Sequence, residues 1–277
     1  MRTLLVLAGL LVLLAGVQLF LAPTRTETWF AWTIDPPLTA AFLGASYWAA
    51  AVIEWTAARR RTWAQARIAV PGVFLFTSLT LVVTLVHLDR FHLGPGHQAA
   101  TRAVTWAWIV VYAVVPVLMA LAWWRQARAP GTDPPRTTPL PAVVRASLAT
   151  QAVVLVPLGA ALLVAPAATS QVWPWELTPL TGRAVGAWLV GLGVVAAHGL
   201  LEADADRFLP AAGGSLAFVV LQLVVLVRHG DALDGGVRTG AYLAVLATFA
   251  VTGSLPLLTR RRARLTGAGW GGTLGGA

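Results

Sequence analysis

The chain has 277 residues, 57% of them hydrophobic and 11% charged, a balance too apolar for a water-soluble fold and suited to a lipid bilayer. It contains no cysteine, which excludes disulfides, thiolate metal sites and covalent c-type haem attachment. The net charge of +9 comes entirely from arginine as the basic residue; beside membrane segments it points to anionic lipid headgroups and not to nucleic acid.

Eight apolar runs are predicted as helices, at 3–22, 37–57, 68–88, 103–124, 146–166, 181–201, 209–228 and 239–258. Each suffices to cross about 30 Å of hydrocarbon at about 1.5 Å per residue. The first follows Arg2 but is long and precedes no small-x-small cleavage site, so it reads as a span and not as a removed signal. With both termini in the cytoplasm, fourteen arginines and five acids lie inside, against six and six outside. That positive-inside pattern predicts a multi-pass protein of the bacterial cytoplasmic (inner) membrane, N-in and C-in.

After the first span, "ETWFAWTIDPPLT" places Trp29 and Trp32 at the outer face, where an indole's apolar body and single N–H suit the headgroup layer. Asp35 lies beside the paired prolines, positioned to line an outer vestibule. The second span carries Ala40, Gly44 and Ala51 on one face, a small-residue surface for close helix packing, and Glu54 near its cytoplasmic end. In the third span Thr77, Thr80, Thr84 and His87 advance by three, four and three residues and form a polar stripe. Lipid-facing helices avoid such stripes, so this side is expected to face the interior; alternatively the threonines bond their own backbone. "HLDRFHLGPGH" then gathers His87, Asp89, His92 and His97. Trp106, Trp108, Trp123 and Trp124 mark the ends of the fourth span.

Residues 125–142 form a cytoplasmic proline-rich linker that cannot continue a helix. Beyond it the chain repeats itself at a shift of 142 residues: "PLTAAFLGA" meets "PLTGRAVGA" and "LVVTLVHLD" meets "LVVLVRHGD". Trp173, Trp175 and Glu176 answer the first tryptophan segment with a one-residue gap. Gly182, Gly186 and Gly193 answer Ala40, Gly44 and Ala51, while His198 lies near the cytoplasmic end of the sixth span, as Glu54 does in the second. Ser215, Gln222 and His229 form the stripe of the seventh span, and His229-Gly230-Asp231 answers His87-Leu88-Asp89. The expected fold is all-α, eight spans in two parallel pseudo-symmetric four-helix repeats, 1–124 and 143–264, with a glycine-rich disordered tail, 265–277.

The outer Trp29-x-x-Trp32-x-x-Asp35, with histidines at other outer helix ends, resembles the haem-handling proteins of cytochrome c maturation, which carry a tryptophan-rich external loop flanked by histidines. The likeness covers less than a tenth of the chain. The denser tryptophan run of that family is missing here, and each half holds a reduced copy. The resemblance implies a haem-handling role.

Enzyme signatures are sparse. Gly213-Gly214-Ser215 has no partner base at its depth, and the His229 to Asp234 spacing of lipid acyltransferases faces outward. The leading expectation is a small transporter or permease-like protein with a polar site between spans three and seven, open to the outside. There His87, Asp89, His229 and Asp231 are outer contacts, Thr80, Thr84 and Gln222 lie at the midplane, and Glu54 and His198 form an inner gate or proton group. Two alternatives stand beside it. One is a redox or assembly protein binding haem through His87 and His229, or a metal through His87, His92, His97 and His229. The other is a non-catalytic membrane subunit or scaffold with a membrane-protein partner or as a homo-oligomer.

Overall fold

Apolar runs leave backbone amides no partner but one another, and helices follow. In the computed structural model 82% of the chain is helical, with no strand among the described residues. The structure describes residues 2–267, with side chains as far as 258. In chain order the long helices are α1 (Arg2–Gly16, continued by a π turn, Val17–Leu21), α2 (Pro37–Ala58), α3 (Val70–Val86), α4 (Ala99–Ala127), α5 (Ala142–Val164), α6 (Pro179–Glu202), α7 (Ala205–His229) and α8 (Gly236–Gly267). The expected tail lies outside the described residues, apart from 265–267, which continue α8.

Seven of these segments are long and apolar enough to cross a membrane. The expected second span is the exception. It forms the 22-residue α2, yet its polar content keeps it out of that set. Most of α2 is buried, including Ser46, Tyr47 and Glu54, and a helix wrapped by protein has no need of an apolar surface on every side. The rim helices show the opposite: Leu14, Val153, Val164 and Val227 are large, apolar and exposed, as lipid-facing residues of a polytopic membrane protein are.

Local starts and stops are readable. Both α2 and α6 begin with proline in the first turn, where its fixed φ fits and its missing N–H is no loss. The Thr178 hydroxyl caps α6 by accepting from the Thr181 amide, and the Asp204 carboxylate caps α7 by accepting from the Arg207 amide. Between α6 and α7, Ala203 takes a left-handed conformation at φ 49°, a backbone strain that lets the chain reverse in two residues.

The pairing of helices is less local. α1 packs on α2, and α5 on α6; α3 packs on α4 and α6, and α7 on α8 and α2. α2 and α6 therefore stand at the centre, each flanked by a helix from the far half of the chain. Small residues set the close approaches: a Cβ on Gly44 would lie 2.5 Å from the Phe20 amide nitrogen, and one on Gly186 would lie 2.7 Å from the Gly159 carbonyl oxygen. α5 and α8 also pack together, whereas α1 and α4 make no comparable contact.

Two ends can be named by composition. One carries Arg2, Arg59 to Arg67, the linker and the α6–α7 junction, and is the arginine-rich end. The other carries the loops at 22–36, 87–98, 165–178 and 230–235, and is the tryptophan-rich end.

Candidate functional site

At the tryptophan-rich end two loops of the first half are pinned together. The Phe91 segment pairs with Trp32, and the His92 amide donates to the Ala31 carbonyl at 2.9 Å. The buried His92 ring donates from Nδ1 to the Phe30 carbonyl at 2.9 Å, leaving Nε2 to accept from the Thr33 hydroxyl at 3.1 Å. Both nitrogens are thus engaged, and His97 stacks on the ring at 4.3 Å, an arrangement that holds a loop and offers no lone pair to a metal. Among the described residues no group of three His, Asp or Glu is placed to hold a metal ion.

Burial holds the His92 imidazole below its ordinary value, with the neighbouring His97 acting the same way and the Phe30 bond opposing both. A lowered histidine contributes stability that is complete above the unfolded value near 6.5 and lost as the pH falls through it. The thermal midpoint in detergent is therefore expected to drop between about pH 7 and about pH 5, and His92→Gln to flatten part of that drop. An unchanged pH profile in His92→Gln would show that the loop titrates elsewhere.

The tryptophans correct an expectation. Trp29, Trp106 and Trp124 are exposed, as headgroup anchors are, but Trp32, Trp108, Trp173 and Trp175 are buried. They form an aromatic layer inside the bundle: Phe30, Trp32 and Trp108 of the first half, and Trp173, Trp175 and Tyr242 of the second, the two tryptophans packed edge-on to Phe42 of α2. The Trp175 indole donates to the Thr39 hydroxyl at 2.9 Å. The Trp108 indole likewise donates to Thr84, whereas the Trp32 and Trp173 N–H groups are buried without a partner; the residue type alone does not choose between headgroup and interior. Beside this layer Asp35, Glu176 and Asp234, with Arg238, line an open depression of about 820 Å³.

A polar site between α3 and α7 is not assembled. α3 turns its stripe to α4 and α6, and α7 turns its own to α2 and α8. His87 Nε2 accepts from Arg183 Nη1 at 2.8 Å, and Arg183 also donates to the Leu163 carbonyl at the end of α5. Burial, then the charges of Arg183 and Arg90, hold this imidazole below its usual value against the pull of Asp89. The expected His87–Asp89 pair is not formed, because Asp89 salt-bridges Arg90 in solvent at 3.2 Å. Thr84 donates to the Thr80 carbonyl and accepts from the Trp108 indole; the Thr80 hydroxyl is buried without a partner. Gln222, fully buried, donates to the Phe42 carbonyl of α2 and accepts from the Tyr242 hydroxyl of α8, which makes it a brace across three helices. His229 has its Nε2 buried and unbonded, and Asp231 is exposed.

At the arginine-rich end Glu54 and His198 do not meet. His198 donates from Nδ1 to the Ile68 carbonyl and lies 3.6 Å from Glu202. It borders a polar cavity of about 500 Å³ with Arg67 and Asp133. Here the structure shows what sequence reasoning missed. The buried Glu202 carboxylate is bridged by Arg67 at 2.7 Å and by Arg207, and Asp133 from the linker takes the other face of Arg67 at 2.7 Å. Arg207 also donates to the Pro134 carbonyl, while Asp204 accepts the amides of Thr137 and Thr138. The linker is thus strapped to the turn before α3 and to the α6–α7 junction. A signal was present: Glu202, Asp204 and Asp206 are three of the five acids on the arginine-rich side, packed into one junction.

Glu54 stands apart from this network. Its side chain belongs to a residue 4% exposed, and Oε2 is buried with no hydrogen-bond partner. It faces a cavity of about 70 Å³ walled by Phe76, Tyr112, Trp188 and aliphatic residues of α1 and α4. The hydroxyls of that wall are occupied: Thr77 donates to the Val73 and Phe74 carbonyls, and the Tyr112 hydroxyl bonds that of Tyr47 at 2.6 Å. An unpaired buried carboxyl is costly in hydrocarbon and is retained where it acts on a proton or a ligand.

No protein-family model, curated protein or solved structure matches the chain.

Proposed function

We propose that the chain is a small carrier of the bacterial cytoplasmic membrane, with eight spans in two parallel four-helix repeats, both termini inside, and a protonatable site at Glu54. One observation carries it: a buried carboxyl without a partner, facing a cavity flanked by two helices that do not close on each other. This moves the working site from the α3–α7 seam to the α1–α4 side.

Several features support the duplication. The helix pairings of the first half, α1 with α2 and α3 with α6, recur as α5 with α6 and α7 with α2. The amide of His92 donates to Ala31, and that of Asp234 to Pro174, positions related by the sequence shift and its one-residue gap. A second cavity of about 40 Å³ is lined by Leu192, Val195, Gly214 and Phe218, the counterparts of Ala50, Ile53, Gly72 and Phe76 in the first. The two cavities lie back to back, as a twofold axis along the bilayer normal requires. Only one has a carboxyl, because Ala196 stands where Glu54 does. The arginine excess supports a cytoplasmic position for its end, against anionic headgroups.

The test is a coupled flux. Proteoliposomes loaded with a pH-sensitive dye and given a proton gradient are expected to move protons on addition of a transported solute from a panel of small amines, carboxylates and neutral compounds. Glu54→Gln keeps the shape and removes the titrating group; the rate should fall by about tenfold or more. Equal rates in wild type and Glu54→Gln would remove Glu54 from the mechanism, and a protein that moves nothing in the panel but co-purifies with a fixed partner would favour a scaffold.

A further inference from the structure

We infer that the Glu54 cavity binds organic monocations that partition into the bilayer, protonated amines with an apolar body, and that these arrive sideways between α1 and α4. The inference rests on the reading of Glu54 as the working group and names what it meets.

The walls narrow the class. An anion would face the Glu54 carboxylate in a site with no basic residue in its lining, a like-charge contact made worse by low dielectric. A neutral apolar molecule would fill the space and leave Oε2 as orphaned as before. An inorganic cation needs six or so oxygen ligands, and the cavity has one free carboxyl, its threonine and tyrosine hydroxyls being already bonded. An ammonium on an apolar body meets none of these objections. One carboxylate supplies its counter-charge, the aromatic side chains of Phe76, Tyr112 and Trp188 line the site, where a ring turned to the cation would stabilise it further, and the aliphatic wall takes the body.

The route follows from an asymmetry. In the second half α5 packs against α8 and closes the corresponding side; α1 and α4 border the Glu54 cavity without comparable packing. Leu11, on the lining, is 40% exposed on the outer surface of α1. What passes there comes from the hydrocarbon, so the ligand must dissolve in it. The cavity volume, about 70 Å³, selects a slim molecule. In the twin cavity the carboxyl is replaced by Ala196, so one ligand per chain is expected.

The full-length protein in nanodiscs of zwitterionic lipid, dialysed against radiolabelled phenethylammonium at neutral pH, is expected to bind it saturably at one site. Benzyltrimethylammonium should displace it and 2-phenylethanol should not. Glu54→Gln should weaken binding by about tenfold or more, in keeping with loss of a desolvated ion pair. Leu11→Trp, which narrows the gap without touching Glu54, should slow association. Wild-type elution and melting of both variants establish that they fold. Displacement by 2-phenylethanol as strong as by the cation, undiminished binding in Glu54→Gln, or no saturable binding overturns the inference. The two readings fail separately: Glu54-dependent proton flux with carboxylates or neutral solutes alone sinks the amine and keeps the carrier, whereas Glu54-dependent amine binding without flux keeps the amine and sinks the carrier.

Discussion

Replacing Glu202 with alanine is expected to lower stability by about 3–5 kcal/mol, the usual consequence of stranding a buried charge. The Glu202 side chain is 4% exposed and that of Arg207 7%, so neither retreats to water when its partner is lost. Arg67 would keep Asp133, but Arg207 would be left with the Pro134 carbonyl and a carboxylate 3.8 Å away. The linker would loosen with it. The measurement is the thermal unfolding midpoint in detergent, read with the fraction eluting as a single species after heating. Because the desolvation penalty belongs to the pair, Glu202→Leu combined with Arg207→Met should be more stable than Glu202→Ala. A shift below about 1 kcal/mol, typical of exposed pairs, would mean the network is solvated.

The second large effect lies where α5 meets α6. Gly159→Val is expected to cost about 3 kcal/mol, at the upper end for overpacking. A Cβ there would lie 2.6 Å from the Gly186 carbonyl oxygen and 2.8 Å from the Val190 amide nitrogen. These are backbone atoms of a neighbouring helix, and no rotamer relieves the clash. The helices would have to separate, and with them the Leu155 and Leu162 contacts of the core. Gly240→Val, where nothing lies near the added atom, is the control and should leave the midpoint nearly unchanged. Equal midpoints for the two variants would show that α5 and α6 tolerate being prised apart.

The seven long apolar helices were legible in the sequence because hydropathy is a local property, and so was the close-packing role of Gly44 and Gly186, since small residues at four-residue steps share a face. Burial in protein against burial in lipid was not legible, because both surroundings are apolar. This is why α2 read like its neighbours and Trp32, Trp173 and Trp175 read as anchors. Partners across long stretches of chain were equally hidden. His87 finds Arg183 and Arg67 finds Glu202 only once α3 lies on α6, a pairing that no pattern within α3 encodes. Glu54 was visible as an ionisable residue within a span, but its isolation from His198 depends on which cavity each one borders.

The crossed pairing of α3 with α6 and of α7 with α2 has a consequence for how the molecule is made. A ribosome releasing the chain in order pairs α1 with α2 early but delivers α2 before α7 and α3 before α6, and the linker before the α6–α7 junction that grips it. The first four segments therefore hold one face of α2 and one of α3 uncovered until α6 and α7 have been made. Maturation then ends with a late docking, α6 onto α3 and α7 onto α2, across long stretches of chain.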